Sequence, residues 1–295
     1  MDRRSFLQTG IEASALAGLS LMGGMASAQA APAAAAAKPV RILFLNKLPR
    51  RKEMAAADAA AQNLLESYTS PGTKIDVGYP DNFDGAEIAS VMGAQKKLNG
   101  LDHLMETPAL VKKIFWAEQN GYNAVISSDT FDPGVEGGRL AVSIPVIGLF
   151  RSSIHTALML SDRIALTVPL PTHIPLAWRL LRNYGLESFV SAIVALDVYE
   201  TDMLNQKKKI FDTTAKLIRS LVDEHGAQII VPLGGALIPY VVNPDDLATA
   251  TGVQVFNTKA IGIRLAEACV TLGMTQSALA YPKAKLNSAD FDKRL

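Results

Sequence analysis

Arg41-Ile42-Leu43-Phe44-Leu45 and Arg163-Ile164-Ala165-Leu166-Thr167-Val168 are two short aliphatic runs without the polar alternation of a half-exposed strand. Continuous apolar runs of this length suit strands that are covered on both faces, as in a parallel sheet. Each run opens a series of four. The first continues with Lys74–Tyr79, Ala124–Ser127 and Val146–Leu149, the second with Val190–Leu196, Gln228–Leu233 and Val253–Phe256. Helical patterns such as Met54–Ser67, Pro108–Asn120, Ile174–Tyr184, Lys208–Glu224 and Lys259–Leu272 separate them. Strand–helix alternation of this kind predicts right-handed βαβ units and an α/β fold. The expectation is two similar half-domains, each a four-stranded, mostly parallel sheet flanked by helices, with a cleft between them.

The organisation follows. Residues 39–155 with 257–280 form the first half, 156–256 the second, and 281–295 a tail. Ahead of them, Arg3-Arg4 precedes a short apolar stretch from Ile11 to Met25 and the small residues Ala26-Ser27-Ala28. That pattern predicts a twin-arginine export signal over 1–28, read by the twin-arginine export machinery, then an alanine-rich tether over 29–38. The expected location is the periplasm, with cleavage after Ala28 or Ala30.

Composition removes several classes of function. The chain has 295 residues, and 29 basic against 28 acidic side chains give a net charge of +1, which offers no footprint for nucleic acid. One cysteine, Cys269, excludes an internal disulfide and a multi-cysteine metal site. The histidines His103, His155, His173 and His225 lack metal-binding spacing, so no metal is expected. Gly134-Val135-Glu136-Gly137-Gly138 does not have the spacing of a dinucleotide loop, and no cofactor is implied.

Ligands of open α/β sheets bind beyond the carboxyl ends of the strands. That rule selects Asn46 to Lys52 after the first strand, Asp129 to Gly134 after the third, Pro169 to His173 after the fifth, and Gly234, Gly235 and Tyr240 after the seventh. Two of these loops carry the most distinctive letters, Val125-Ile126-Ser127-Ser128-Asp129-Thr130-Phe131-Asp132-Pro133-Gly134 and Ile229-Ile230-Val231-Pro232-Leu233-Gly234-Gly235-Ala236. With Ile144-Pro145-Val146-Ile147-Gly148 and Leu166-Thr167-Val168-Pro169 they resemble the aspartate/glutamate/hydantoin racemase superfamily over most of residues 38–273.

The resemblance implies a pair of facing cysteines that move a proton on opposite faces of a carbon acid. This sequence departs from it at both places, because the first position falls on Asp129 and the second on Gly235. Cys269, on the last helix, reads as a buried core thiol. The expectation is therefore changed chemistry on a familiar frame: a cofactor-independent lyase or isomerase that acts on a small carboxylate or carbonyl substrate through one carboxylate.

Asp129 is the candidate acid/base, its pKa raised by burial towards the working pH; capping of the next turn is the competing role. His173 is a candidate second acid/base of near-neutral pKa, or a helix-start histidine facing solvent. His155 is similarly placed. Candidate substrate contacts are Asn46, Arg51, Thr130, Thr167, Gly234, Gly235 and Tyr240. Against these stand a solvated basic turn at Arg50-Arg51-Lys52, a backbone-bonded hydroxyl at Thr167 and simple packing at Tyr240. Gly235 is expected to leave an open wall facing Asp129. A homo-oligomer is expected from the resemblance and the apolar tail. The alternatives to an enzyme are a periplasmic solute-binding protein and a racemase relative without activity.

Overall fold

The computed structural model describes residues 39–52, 55–198 and 206–291. The export signal and tether read from the sequence lie outside them. The chain runs through β1 (Val40–Leu45), α1 (Ala55–Ser67), β2 (Thr73–Gly78), α2 (Ala86–Ala94), α3 (Leu101–Gln119), β3 (Ala124–Ser127), α4 (Val135–Ala141), β4 (Val146–Gly148) and α5 (Leu149–Leu158). It continues through β5 (Ile164–Val168), α6 (His173–Asn183), β6 (Val190–Ala195), α7 (Lys207–His225), β7 (Ile229–Pro232), α8 (Pro244–Thr251), β8 (Gln254–Val255) and α9 (Thr258–Thr271).

Two four-stranded sheets result, in the orders β2-β1-β3-β4 and β6-β5-β7-β8. Every pairing is parallel. The two sheets share one strand order, so each has its first strand beside its third, and the loops after those strands leave the same edge. Leu45 lies beside Ser127 in the first sheet and Thr167 beside Pro232 in the second.

Burial explains the lack of alternation in the strands. Leu43, Leu45 and Val125 pack with α3 and α4 residues on one face of the first sheet, whereas Ile42, Phe44, Ala124 and Ile126 pack with Ile263 and Ala266 of α9 on the other. Each of the leucine, isoleucine, valine and phenylalanine side chains taken fully from water contributes about 1.5–3 kcal/mol. The last helix thus lies against β1, β3, β4 and α5. Its start is held by Asn257, whose side chain accepts from the Ala260 N–H at 3.1 Å, an N-cap.

One boundary differs from the sequence pattern in a way that matters for the site. Pro108 suits a first helical position, but the structure starts α3 at Leu101 and carries Pro108 inside the helix. Gly100 turns the chain with φ 97°, and the Asp102 carboxylate accepts from its N–H at 3.0 Å. Pro108 has no N–H for the carbonyl of Leu104, a residue 73% exposed on the outer side of the helix. The two added turns hold Asp102, His103 and Glu106. No helix among the described residues is long and apolar enough to cross a membrane.

Candidate active site

The carboxyl edge of the first sheet gathers an unusual density of buried charge. Lys47 follows β1 and Asp129 follows β3, and the lysine Nζ lies 3.1 Å from the Asp129 carboxylate. The first turns of α3 add two acids on one helix face, with Lys47 3.5 Å from Asp102 and 3.9 Å from Glu106. His103 Nε2 lies 3.4 Å from Asp102 and 3.7 Å from Asp129. The other Asp129 oxygen accepts from the Phe131 N–H at 2.9 Å. Asp129 therefore both shapes its own turn and faces the cluster, while the start of α5 is held by Asp132, which accepts from the N–H groups of Phe150 and Arg151 at 2.8 and 3.1 Å.

Protonation follows from this geometry. Burial opposes charge on Asp129, but the Lys47 ammonium and the neighbouring His103 imidazole outweigh it and hold the carboxyl well below its ordinary value. This corrects the expectation of a raised pKa: a neighbouring cation wins over desolvation. Burial also pulls His103 down, and the Asp129 carboxylate beside it lifts it above its ordinary value. Lys47 is raised in the same manner, its desolvation overcome by Asp129, Glu106 and Asp102. Glu106 is different. Burial pushes it up to about 7, and neither carboxyl oxygen has a hydrogen-bond partner. The arrangement can keep Asp129 ionised, hold a proton on the adjacent imidazole and change charge at Glu106 near neutral pH.

The loops after β3 and β7 meet beside this cluster. Gly234 donates its N–H to the Thr130 hydroxyl. A side chain at Gly234 would strike Pro169, and its φ of 84° favours glycine. Gly235 does not leave an open wall. Its missing Cβ makes room for the Lys259 Nζ, which donates to the Ser128 carbonyl. His173 opens α6 but is buried, with its ring 5.0 Å from Phe131, itself 5.6 Å from His103. Burial pushes His173 down to about 4 and Nδ1 has no partner, so it is a neutral imidazole and neither near-neutral in pKa nor solvent-facing. A surface depression of about 460 Å³, lined by Thr172, Asn99, Pro175, Trp178, Arg179 and Arg182, opens next to it.

The remaining sequence candidates lie around this centre. Asn46 faces the Tyr79 hydroxyl, which burial and Asp58 push up to about 12. Tyr240 also lies near Tyr79, and burial raises it. Arg50 approaches Asp58 at 3.6 Å, and Arg51 is exposed. Thr167 is buried on β5 with its hydroxyl unpartnered, while its carbonyl accepts from the Leu233 N–H at 2.8 Å. His155 is exposed on α5 and lowered by partial burial and by Arg151. Cys269 is half-buried, less enclosed than a core thiol, and packs beside the cluster of Ile42 and Phe44. Sequence reasoning passed over Asp102, His103, Glu106 and Lys259 as site residues and reached Lys47 only as part of a strand-end loop; the one available signal was the Asp-His-x-x-Glu spacing of 102–106. Among the described residues, no group of three or more His, Cys, Asp or Glu side chains is arranged to hold a metal ion.

A family-wide sequence profile described as Asp/Glu/Hydantoin racemase matches residues 94–266. A hydantoin racemase of Rhizobium meliloti is 29% identical over 189 residues, 63% of this chain and 77% of that one. A hydantoin racemase of Pseudomonas sp. (strain NS671) is 26% identical over 201 residues, 67% and 80% of the two chains. Among solved structures, allantoin racemase from Klebsiella pneumoniae matches with a TM-score of 0.70 at 21% identity, over 84% of this chain and 96% of that one. The last likeness concerns the fold, two sheets in two halves.

Proposed function

The chain belongs to the Asp/Glu/hydantoin racemase family, and on that premise we propose that it is a periplasmic, cofactor-independent isomerase that moves a proton on carbon beside a carbonyl. Hydantoin-type substrates are the first class to test, since the hydantoin racemases are its similar relatives. The observation that carries the reading is the placement of Asp129, 3.1 Å from Lys47 and 3.7 Å from His103, at the carboxyl edge of β3.

In this reading the Asp129–His103 pair handles the proton. Neutral His103 takes it from carbon, the electron pair passes into the carbonyl as an enolate, and Asp129 stabilises the imidazolium that forms. An imidazole raised by its carboxylate is suited to work near neutral pH. Lys47 keeps Asp129 ionised, and its own charge attracts the developing enolate. Thr130, Gly234 and the neutral His173 lie beside the pair and would contact substrate. A lyase would use the same pair to protonate a carbanion left by bond cleavage, and differs in its product.

The test is exchange in D2O. A 5-substituted hydantoin incubated with the protein should gain deuterium at C5 and lose optical rotation, and His103→Gln or Asp129→Asn should slow this by about 10²–10⁴-fold. Loss of a fragment instead of exchange would establish the lyase. No reaction with either hydantoin enantiomer would remove this substrate class. The proposal includes a homo-oligomer, supported by the exposed Ile88 and Val91 on α2 and Leu101 and Leu104 on α3. Light scattering reads its mass.

A further inference from the structure

Lys259 is 1% exposed and ranks among the largest fully buried side chains of the molecule. A lysine buried for structure alone normally ends on a carboxylate, because an isolated ammonium is expensive to desolvate. Here, among the described residues, the ammonium has no carboxylate at ion-pair distance. It donates to the Ser128 carbonyl and lies 5.4 Å from the centroid of the Phe44 ring. Opposite it stands Gly235, where any side chain would collide with Nζ. The chain thus brings a lysine to the point where the loops after β3 and β7 meet and keeps a glycine there to admit it.

Its direction of approach is equally informative. Lys259 belongs to α9, which covers the Ile42, Phe44, Ala124 and Ile126 face of the first sheet; His103, Asp102 and Glu106 belong to α3, which covers the Leu43, Leu45 and Val125 face. The two sets of titratable groups therefore reach the carboxyl edge of β3 from opposite sides of the sheet. Inverting a carbon centre with two groups uses just this division, a proton leaving one face and another arriving on the opposite face.

We infer that the Lys259 amine is a second proton-transfer group, acting on the substrate face opposite the Asp129–His103 pair. The inference rests on the isomerase reading above. Neutral Lys259 takes the proton from the carbon of one enantiomer, and the electron pair moves into the adjacent carbonyl. The His103 imidazolium then returns a proton to the other face, leaving a lysine ammonium and a neutral imidazole with the configuration inverted. The other enantiomer runs the steps in reverse. Burial lowers the Lys259 amine to about 8, partly offset by Asp129 and Asp132, so both of its protonation states are accessible near neutral pH.

The experiment is deuterium exchange of each enantiomer of 5-benzylhydantoin separately, in the full chain and in Lys259→Met, with Lys259→Gln as a second variant and melting temperature as the control for folding. Wild type should exchange both enantiomers and invert them. Lys259→Met should lose exchange of one enantiomer by about 10²–10⁴-fold, while the other still exchanges within a few-fold of wild type and keeps its configuration. Equal slowing of both enantiomers by both variants overturns the inference, because a merely structural lysine has no handedness. A second measurement does not depend on the substrate: the 15N signal of the Lys259 Nζ, identified by its absence in Lys259→Met, should titrate near pH 8. An inflection above pH 10 overturns the inference even if the racemase reading stands. If wild type exchanges neither enantiomer, the hydantoin reading fails and that titration alone decides Lys259.

Discussion

Replacing Lys47 with methionine tests whether the buried charges form one interdependent unit. Lys47 faces carboxylates at 3.1, 3.5 and 3.9 Å. With an effective dielectric constant of about 20, each such contact has a gross attraction of about 4–5 kcal/mol. Desolvation offsets most of that, but Lys47→Met leaves the desolvation of Asp102 and Asp129 in place while removing the attraction. Removing one member of a buried ion pair costs about 3–5 kcal/mol. The lower end applies here, because the Lys47 side chain retains 27% exposure and Glu106 can relieve repulsion by keeping its proton. A loss of about 3 kcal/mol lowers the melting temperature by about 6–12 °C in a chain of this size.

The sign with pH is fixed by Asp129, whose pKa is depressed in the folded state. Its contribution is present above its unfolded value of about 3.9 and disappears as pH falls through the folded value. Lys47→Met removes that contribution, so the gap between wild type and variant in urea unfolding should stay wide from pH 8 down to about pH 4 and narrow only as pH falls below the unfolded value. The double variant Lys47→Met/Asp129→Asn should regain about 1–3 kcal/mol relative to the sum of the singles. A loss below about 1 kcal/mol at pH 8, the size typical of an exposed pair, would refute the idea of a desolvated cluster.

Four further outcomes can be measured directly. Glu106 is raised to about 7 in the folded chain, so the native state holds an extra proton between its unfolded value of about 4.3 and pH 7; stability should fall by about 4 kcal/mol as pH rises through that window, and Glu106→Gln should flatten the slope in urea titrations. Asp129→Asn should cut turnover by about 10²–10⁴-fold with substrate binding retained, and near-normal turnover would reject the proposed pair. Cys269→Ala should keep turnover within a few-fold, with chelators adding no loss; a large drop with an intact melting temperature would overturn the site. Mass spectrometry of periplasmic protein should show an N-terminus at Gln29 or Ala31, and an uncleaved cytoplasmic chain would contradict export.

How far each feature was legible depends on how far its cause lies along the chain. The strands were readable because a segment buried on both faces must be apolar throughout, and Ile42 to Leu45 meet that condition locally. The start of α3 was not, because Pro108 is an ordinary helix opener in sequence and only the packing of Asp102 and His103 under Lys47 shows that the helix begins earlier. Asp129 could be placed by the strand-end rule, but its protonation state is imposed by Lys47, from the loop after β1, and by His103, from the start of α3. Gly235 is the clearest instance. An empty position in the sequence suggested open space for substrate, whereas the space belongs to the Lys259 ammonium from the last helix, α9. That exchange is open to a direct check. Gly235→Ala must displace Nζ, the mobile end of a long side chain, and also sets its new methyl 3.0 Å from the Ser128 carbonyl oxygen. If Lys259 works from that place, this single added carbon should slow proton exchange on its face alone. Equal slowing on both faces would mean that the glycine matters only for the approach of the two loops.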